Sequence, residues 1–213
     1  MNIKNFINEV HINSRNHGWW DNERPAEEIV ALIHSEWSEA LEEARAGKPM
    51  IWYACKEQPD GSGGICNPQD EHDCLNFGRI KECKYHGRKP EGIATELIDG
   101  CIRAFDYIGK KDAFFPDAAS TLDELISSAP ETEYRIPLPR LVANLHLKTS
   151  QAYTMLRNGH VDPEFDKRGF FILFETIALA CAWIMDQGID AEKLMLEKHE
   201  YNKSRPYKHG KKF

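Results

Sequence analysis

Residues 28–47 of this chain lie on residues 140–159 without a gap. Seven of those 20 positions are identical: Val30/Val142, Ala31/Ala143, His34/His146, Ser38/Ser150, Ala40/Ala152, Arg45/Arg157 and Gly47/Gly159. About one identity is expected by chance from typical residue frequencies. Ile29/Leu141 and Ile33/Leu145 add apolar matches at helical spacing. A chain that carries one helix twice, 112 residues apart, is constrained towards a bundle of two related halves. A weaker match at a shift of 79 pairs Glu96 with Glu175, Ile98 with Ile177 and Gly109 with Gly188.

The rest of the pattern is helical too. Ile3, Phe6, Ile7 and Val10 share one face of a first helix over 3–15. Gly18-Trp19-Trp20-Asp21 breaks it, and Pro25 suits the first turn of a second helix that runs to about 46 and stops at Gly47. Further helices are expected over 93–109, 122–128, 138–156, 170–186 and 191–203. No convincing strand alternation interrupts them, so the expected class is all-α, a helical bundle with a tandem pseudo-symmetric repeat. Residues 1–117 form the first unit, with a Gly-, Pro- and Cys-rich insert at 48–90. Residues 118–213 form the second, which ends in a basic tail, and the two pack as one globular unit.

Two carboxylate pairs stand out in the first unit: Glu36 with Glu39, and Glu96 with Asp99. Three residues is nearly one helical turn, so both acids of a pair project from one face. Four carboxylates facing each other across two helices repel unless a cation lies between them. Oxygen donors of this kind suit Mg²⁺ or Mn²⁺. The plain alternative is two solvated helix faces, and the repeat speaks against it. In the second copy Lys148 stands at the place of Glu36, Gln151 at Glu39 and Ala178 at Asp99; only Glu96 keeps an acid, Glu175. The helix persists where the acids vanish, so packing does not need them. One live site and one degenerate copy follow. His34 recurs as His146 in the copy without the acids, which argues for a structural role.

Composition narrows the partners. The net charge of −7 argues against a non-specific duplex nucleic acid binder. Small anions remain open, because a bound cation reverses the local field. No uninterrupted apolar run is long enough to span a bilayer; the most apolar, 170–185, contains Glu175 and reads as a buried helix. Met1-Asn2-Ile3-Lys4-Asn5 has no signal-peptide core, so the expected location is cytoplasmic, with no membrane partner. The six cysteines then read as thiols or metal ligands. Cys55, Cys66, Cys74 and Cys83 in the insert offer a structural Zn²⁺ set. Their spacings of 10, 7 and 8 intervening residues lack a Cys-x-x-Cys knuckle, so free thiols or a labile disulfide are the equal alternative. Cys101 and Cys181 lie in apolar helices and read as core.

With these motifs the chain resembles the MazG-like branch of the all-α nucleoside triphosphate pyrophosphohydrolases, which are related to the dimeric dUTPases. Their pattern is Glu-Glu-x-x-Glu on one helix and Glu-x-x-Asp on the next. Here Ser35-Glu36-Trp37-Ser38-Glu39 puts a serine at the first position, and Glu96-Leu97-Ile98-Asp99 fits fully. Gly18-Trp19-Trp20-Asp21 and the tail over 202–212 are also similar to theirs. The resemblance implies Mg²⁺- or Mn²⁺-dependent hydrolysis of a (deoxy)nucleoside triphosphate to the monophosphate and pyrophosphate, as nucleotide-pool house-cleaning. Glu36, Glu39, Glu96 and Asp99 would hold the metal, with Glu39 the candidate to deprotonate water. Trp19 or Trp20 would stack the base, or else pack in the core. Arg24 would meet phosphate, or pair with Glu27 or Glu28. Lys198, Asn202, Arg205, Tyr207 and Lys208 would hold phosphates and base, against the alternative of a solvated basic tail. The protein would act as a monomer or a homodimer of pseudo-dimers. Two rivals stand beside this reading: a non-catalytic nucleotide sensor that retains the fold, and a zinc-stabilised interaction module built on the insert.

Overall fold

A computed structural model of the chain describes residues 1–54, 65–66, 89–110, 120–159 and 161–210. Helix α1 spans Ile3–Asn16, and its N-cap Asn2 accepts the amide of Asn5 at 2.9 Å. Helix α2, Ala26–Arg45, starts after Pro25 with Glu27 and Glu28 in its first turn, where acids complement the dipole. It ends into Gly47 at φ +68°, the left-handed conformation that glycine adopts freely past a helix C-terminus. Its buried face is Ile29, Val30, Ile33, Glu36, Trp37 and Ala40. Glu36 therefore lies on the core stripe, an unusual place for a carboxylate.

Helix α3, Ile93–Lys110, is buried along almost its whole length and packs against α1 and α2. Four short or long helices follow: α4 Leu122–Ser127, α5 Glu131–Tyr134, α6 Leu138–Leu156 and α7 Pro163–Asp186. A capping box between Thr121 and Glu124 starts α4. Helix α8, Ala191–Lys203, precedes a 3₁₀ turn at Tyr207–Gly210. Helix α3 also touches α7 and α8, and α6 packs on both α2 and α7. One apolar cluster runs through all of these contacts, from Ile3 and Phe6 to Leu194 and Met195. The all-α expectation holds for most of the described chain.

Helix α7 is the one described helix long and apolar enough to cross a membrane by length and composition. It is longer than the run expected from sequence. Yet 72% of its apolar window is buried inside the protein, and it packs on α3, α4, α5, α6 and α8.

No strand is expected from the sequence pattern, but a small antiparallel sheet is present. Its strands are β1 Trp52–Ala54, β2 Ile65–Cys66 and β3 Lys89–Glu91, in the order β2-β1-β3. Tyr53 pairs with Cys66 on one side and Pro90 on the other. Runs of two or three residues are too short for alternation to register. Pairing of β1 with β3 brings the two ends of the 48–90 insert together beside α3. Of the proposed zinc ligands, Cys55, Cys74 and Cys83 lie outside the described residues, and only the backbone of Cys66 is described. Cys101 and Cys181 are buried free thiols.

Helices α2 and α6 meet through residues that are equivalent in the self-match. The rings of His34 and His146 stack with centroids 4.9 Å apart and planes 12° apart, Nδ1 to Nδ1 at 2.7 Å. Burial lowers the pKa of both, and the proximity of His146 adds to this for His34. Two neutral rings can share this contact, one donating and one accepting. Ser38 Oγ lies 3.4 Å from His146 Nε2, and Ser150 Oγ lies 3.4 Å from His34 Nε2. The buried Trp37 Nε1 donates to Thr149 Oγ1 at 3.0 Å.

Candidate metal and phosphate site

The site begins with helical register. On α3 the residues Glu96, Asp99, Arg103 and Asp106 recur at three, seven and ten positions, which keeps them on one stripe. On α2, Glu36 and Glu39 flank Trp37. The close approach of α2 and α3 sets these stripes face to face. Carboxylate oxygens of Glu36, Glu39 and Glu96 all lie within 4.8 Å of one another. Glu36 and Glu96 are buried, at 5% and 6% exposure, and Glu39 is exposed. Ser35 Oγ donates to Glu39 Oε1 at 2.7 Å and so orients that carboxylate.

The fourth acid is held differently. Asp99 Oδ2 lies 2.8 Å from Lys198 Nζ, and the same ammonium donates to the Pro90 carbonyl at 3.0 Å. Lys198 is fully buried. Burial disfavours its charge, but Asp99, then Glu96 and Glu91, outweigh that and raise its pKa. Lys198 is thus an internal counter-ion between α8, α3 and β3. Arg103 plays the same part for Glu36, with Nε 2.5 Å from Oε1.

Two cations do not neutralise four acids, and the remainder shows as shifted proton affinities. Glu96 is pushed up to about 9, first by burial and then by the charge of Asp99, against the opposing pull of Lys198. Glu36 is also raised, mainly by burial, although Arg103 pulls it down. Both shifts favour a proton within the Glu36–Glu96 pair when no cation is bound. Concentrated, desolvated carboxylates of this kind cluster at functional sites, although structural ion-pair networks shift proton affinities too. The donor set is all oxygen and fits a hard divalent cation.

A cleft of about 110 Å³ opens beside the cluster, lined among others by Trp19, Arg24, Asp99, Arg103, Asn202 and Arg205. Four residues expected to bind substrate therefore share one cavity with one of the expected metal ligands. Several lining groups are buried without partners among the described residues: Arg24 Nη2, Asn202 Oδ1 and both ring nitrogens of His199. Orphaned buried polar atoms are costly, so a cleft that gathers them suits water or a polar ligand. Arg24 also stacks over Trp19, at 5.5 Å from the ring centroid, and its Nε is held by Glu28 at 2.7 Å.

The other expected binding residues lie elsewhere. Trp20 is half-buried and donates from Nε1 to Asp106 at 2.9 Å, in a network with His11 and Ser14. Tyr207 is exposed and donates to Asp21, its ring lying across Gly18 at φ +76°. Any Cβ at Gly18 would sit 2.1 Å from that ring. Lys208 has its amide on the carbonyl of His17 at 2.9 Å and its ammonium over the Tyr207 ring. Tyr207 and Lys208 close the turn between α1 and α2 against the tail, Trp20 ties that turn to α3, and none of the three lines the cleft. Arg103 was not singled out in the sequence, although a base four positions after Asp99 on the same helical face was a legible signal.

No protein-family model, no curated protein and no solved structure matches this chain.

Proposed function

We propose that the protein hydrolyses a (deoxy)nucleoside triphosphate to the monophosphate and pyrophosphate, with Mg²⁺ or Mn²⁺, as a MazG-like enzyme. One observation carries this reading: the carboxylates of Glu36, Glu39 and Glu96 converge next to Asp99 and Arg103, which line a cleft that also has guanidinium, amide and indole groups on its walls. Glu36, Glu39 and Glu96 are the candidate metal ligands, with Asp99 the fourth. A divalent cation there supplies charge neutralisation for phosphate and acidity for water. Arg24 offers to a phosphate oxygen its Nη2, which has no partner among the described residues, and Arg205 adds charge on the same wall. Asn202 offers an acceptor and Trp19 a face for the base. Glu39, exposed and aligned by Ser35, is the candidate to take a proton from the attacking water.

The tandem-repeat reading belongs to this proposal. Contacts between a residue and its own copy, 34 with 146 and 37 with 149, are what a local two-fold axis between α2 and α6 produces. In the second half Lys148 stands where Glu36 stands in the first. Its ammonium lies 3.4 Å from Glu175 and 3.6 Å from Glu133. A fixed lysine charge there does the work that a bound cation does in the first half. This supports one live site per chain.

The test is pyrophosphate release from a panel of ribo- and deoxynucleoside triphosphates with Mg²⁺ or Mn²⁺, run beside Glu96→Gln. Metal-dependent release that vanishes in the variant supports the enzyme. A second reading, a non-catalytic nucleotide sensor, is favoured by the pairing of Glu36 with Arg103 and of Asp99 with Lys198. Metal and nucleotide binding without release would select it.

A further inference from the structure

Lys198, the buried counter-ion of Asp99, has no freedom to meet substrate. Its ammonium is fully buried and already held by Asp99 and the Pro90 carbonyl. Arg103 is different. Its side chain retains 32% exposure, lines the cleft, and reaches Glu36 through Nε. A guanidinium has five N–H donors, so one contact leaves most of its capacity for another acceptor. Arg103 is thus shared between a carboxylate expected to bind metal and a cavity expected to bind phosphate.

Resting on the proposed function, we infer that Arg103 is a phosphate-positioning residue released from Glu36 when that carboxylate becomes a metal ligand. A divalent cation and a guanidinium on one buried carboxylate repel each other, so a metal ion on Glu36 weakens its hold on Arg103. Loss of Glu36 leaves the Arg103 charge uncompensated, and the nearest open space on its own side is the cleft. A triphosphate there supplies the lost negative charge through charge-assisted bonds. Metal and phosphate binding then favour each other, and the empty site holds itself closed by an ion pair. Arg24, fixed through Nε to Glu28, is the static phosphate donor; Arg103 is the conditional one.

Mn²⁺ binding followed by electron paramagnetic resonance, and inorganic pyrophosphate binding followed by calorimetry, test this in full-length protein. In Arg103→Gln the Mn²⁺ affinity should rise, because Glu36 loses its competitor. Pyrophosphate affinity in saturating Mn²⁺ should fall about tenfold, as for a lost charge-assisted bond. Arg103→Lys should restore part of the pyrophosphate affinity. In Glu36→Gln, without metal, pyrophosphate should bind more tightly than to wild type, since Arg103 is freed. A folded Arg103→Gln that binds Mn²⁺ no better than wild type, while Glu39→Gln lowers Mn²⁺ binding, overturns the inference and leaves the metal reading standing. Should Arg103→Gln not fold, an unchanged metal-free pyrophosphate affinity in Glu36→Gln overturns it by itself. Mn²⁺ bound by none of the proteins overturns the metal reading, and this inference with it.

Discussion

Gly100 on α3 presents a bare Cα to the indole of Trp37 on α2. A Cβ there would lie 2.3 Å from the ring. Trp37 is completely buried, so the ring has no room to retreat. The contact sets how closely the two helices approach. Glu36 flanks Trp37 in sequence and Asp99 flanks Gly100, with Glu39 and Glu96 one turn away on either helix. The spacing of a glycine and a tryptophan is therefore what brings the carboxylates within reach of one another.

Gly100→Ala should accordingly push α2 from α3. Overpacking of this kind costs about 1–3 kcal/mol. We expect a lower melting temperature and weaker Mn²⁺ binding in the same variant. Unchanged Mn²⁺ affinity in a destabilised protein would show that the helix spacing does not set the carboxylate group.

The two halves should respond unequally to the same change. Glu96→Gln should reduce pyrophosphate release by more than the ~10–100-fold typical of losing a residue that merely supports a metal ligand. The fold should survive, because burial already pushes Glu96 towards its neutral form, which the amide matches in shape. Glu175→Gln should leave the rate within about twofold, as Glu175 pairs only with Lys148 among the described residues. Comparable losses in both variants would refute the single live site.

Thr149→Val removes the acceptor of the buried Trp37 indole N–H while keeping the side chain's shape. An orphaned buried donor costs about 1–3 kcal/mol. Urea unfolding should show that loss with an unchanged m-value. A neutral outcome would mean the indole finds another acceptor, and that the α2–α6 contact relies on packing alone.

His199 should contribute to acid sensitivity. Its ring is 1% exposed, and burial, then the nearby Lys203, lowers its pKa below the ordinary 6.5. The unfolded chain therefore takes up a proton near pH 6.5 that the folded chain refuses until lower pH. Its contribution to stability is full above 6.5 and declines as pH falls through that value towards the lowered pKa of the folded state. Denaturant unfolding of wild type and His199→Gln at pH 5, 6 and 7 should show a shallower acid decline in the variant. Parallel curves would remove His199 from the account.

The sequence by itself determined what lies within single helices. The 3.6-residue period made the core stripes, the acid pairs and the recurrence of one helix after 112 residues legible. Gly47 and Pro25 marked the ends of α2 because their backbone constraints are local. Only the tertiary structure decided which charges meet. Lys198 looked like a phosphate ligand on α8, but packing against α3 and β3 turned it into a buried partner of Asp99. Arg103 drew no notice as one base on a helix, yet the approach of α2 gave it Glu36 and a wall of the cleft. Tyr207 and Lys208 belong to the same tail as Arg205 but fold back over Gly18. Local order follows from backbone sterics and side-chain period, which neighbours in sequence carry with them. An ion pair between residues 67 or 99 positions apart follows from how whole helices pack, and no single segment contains that information.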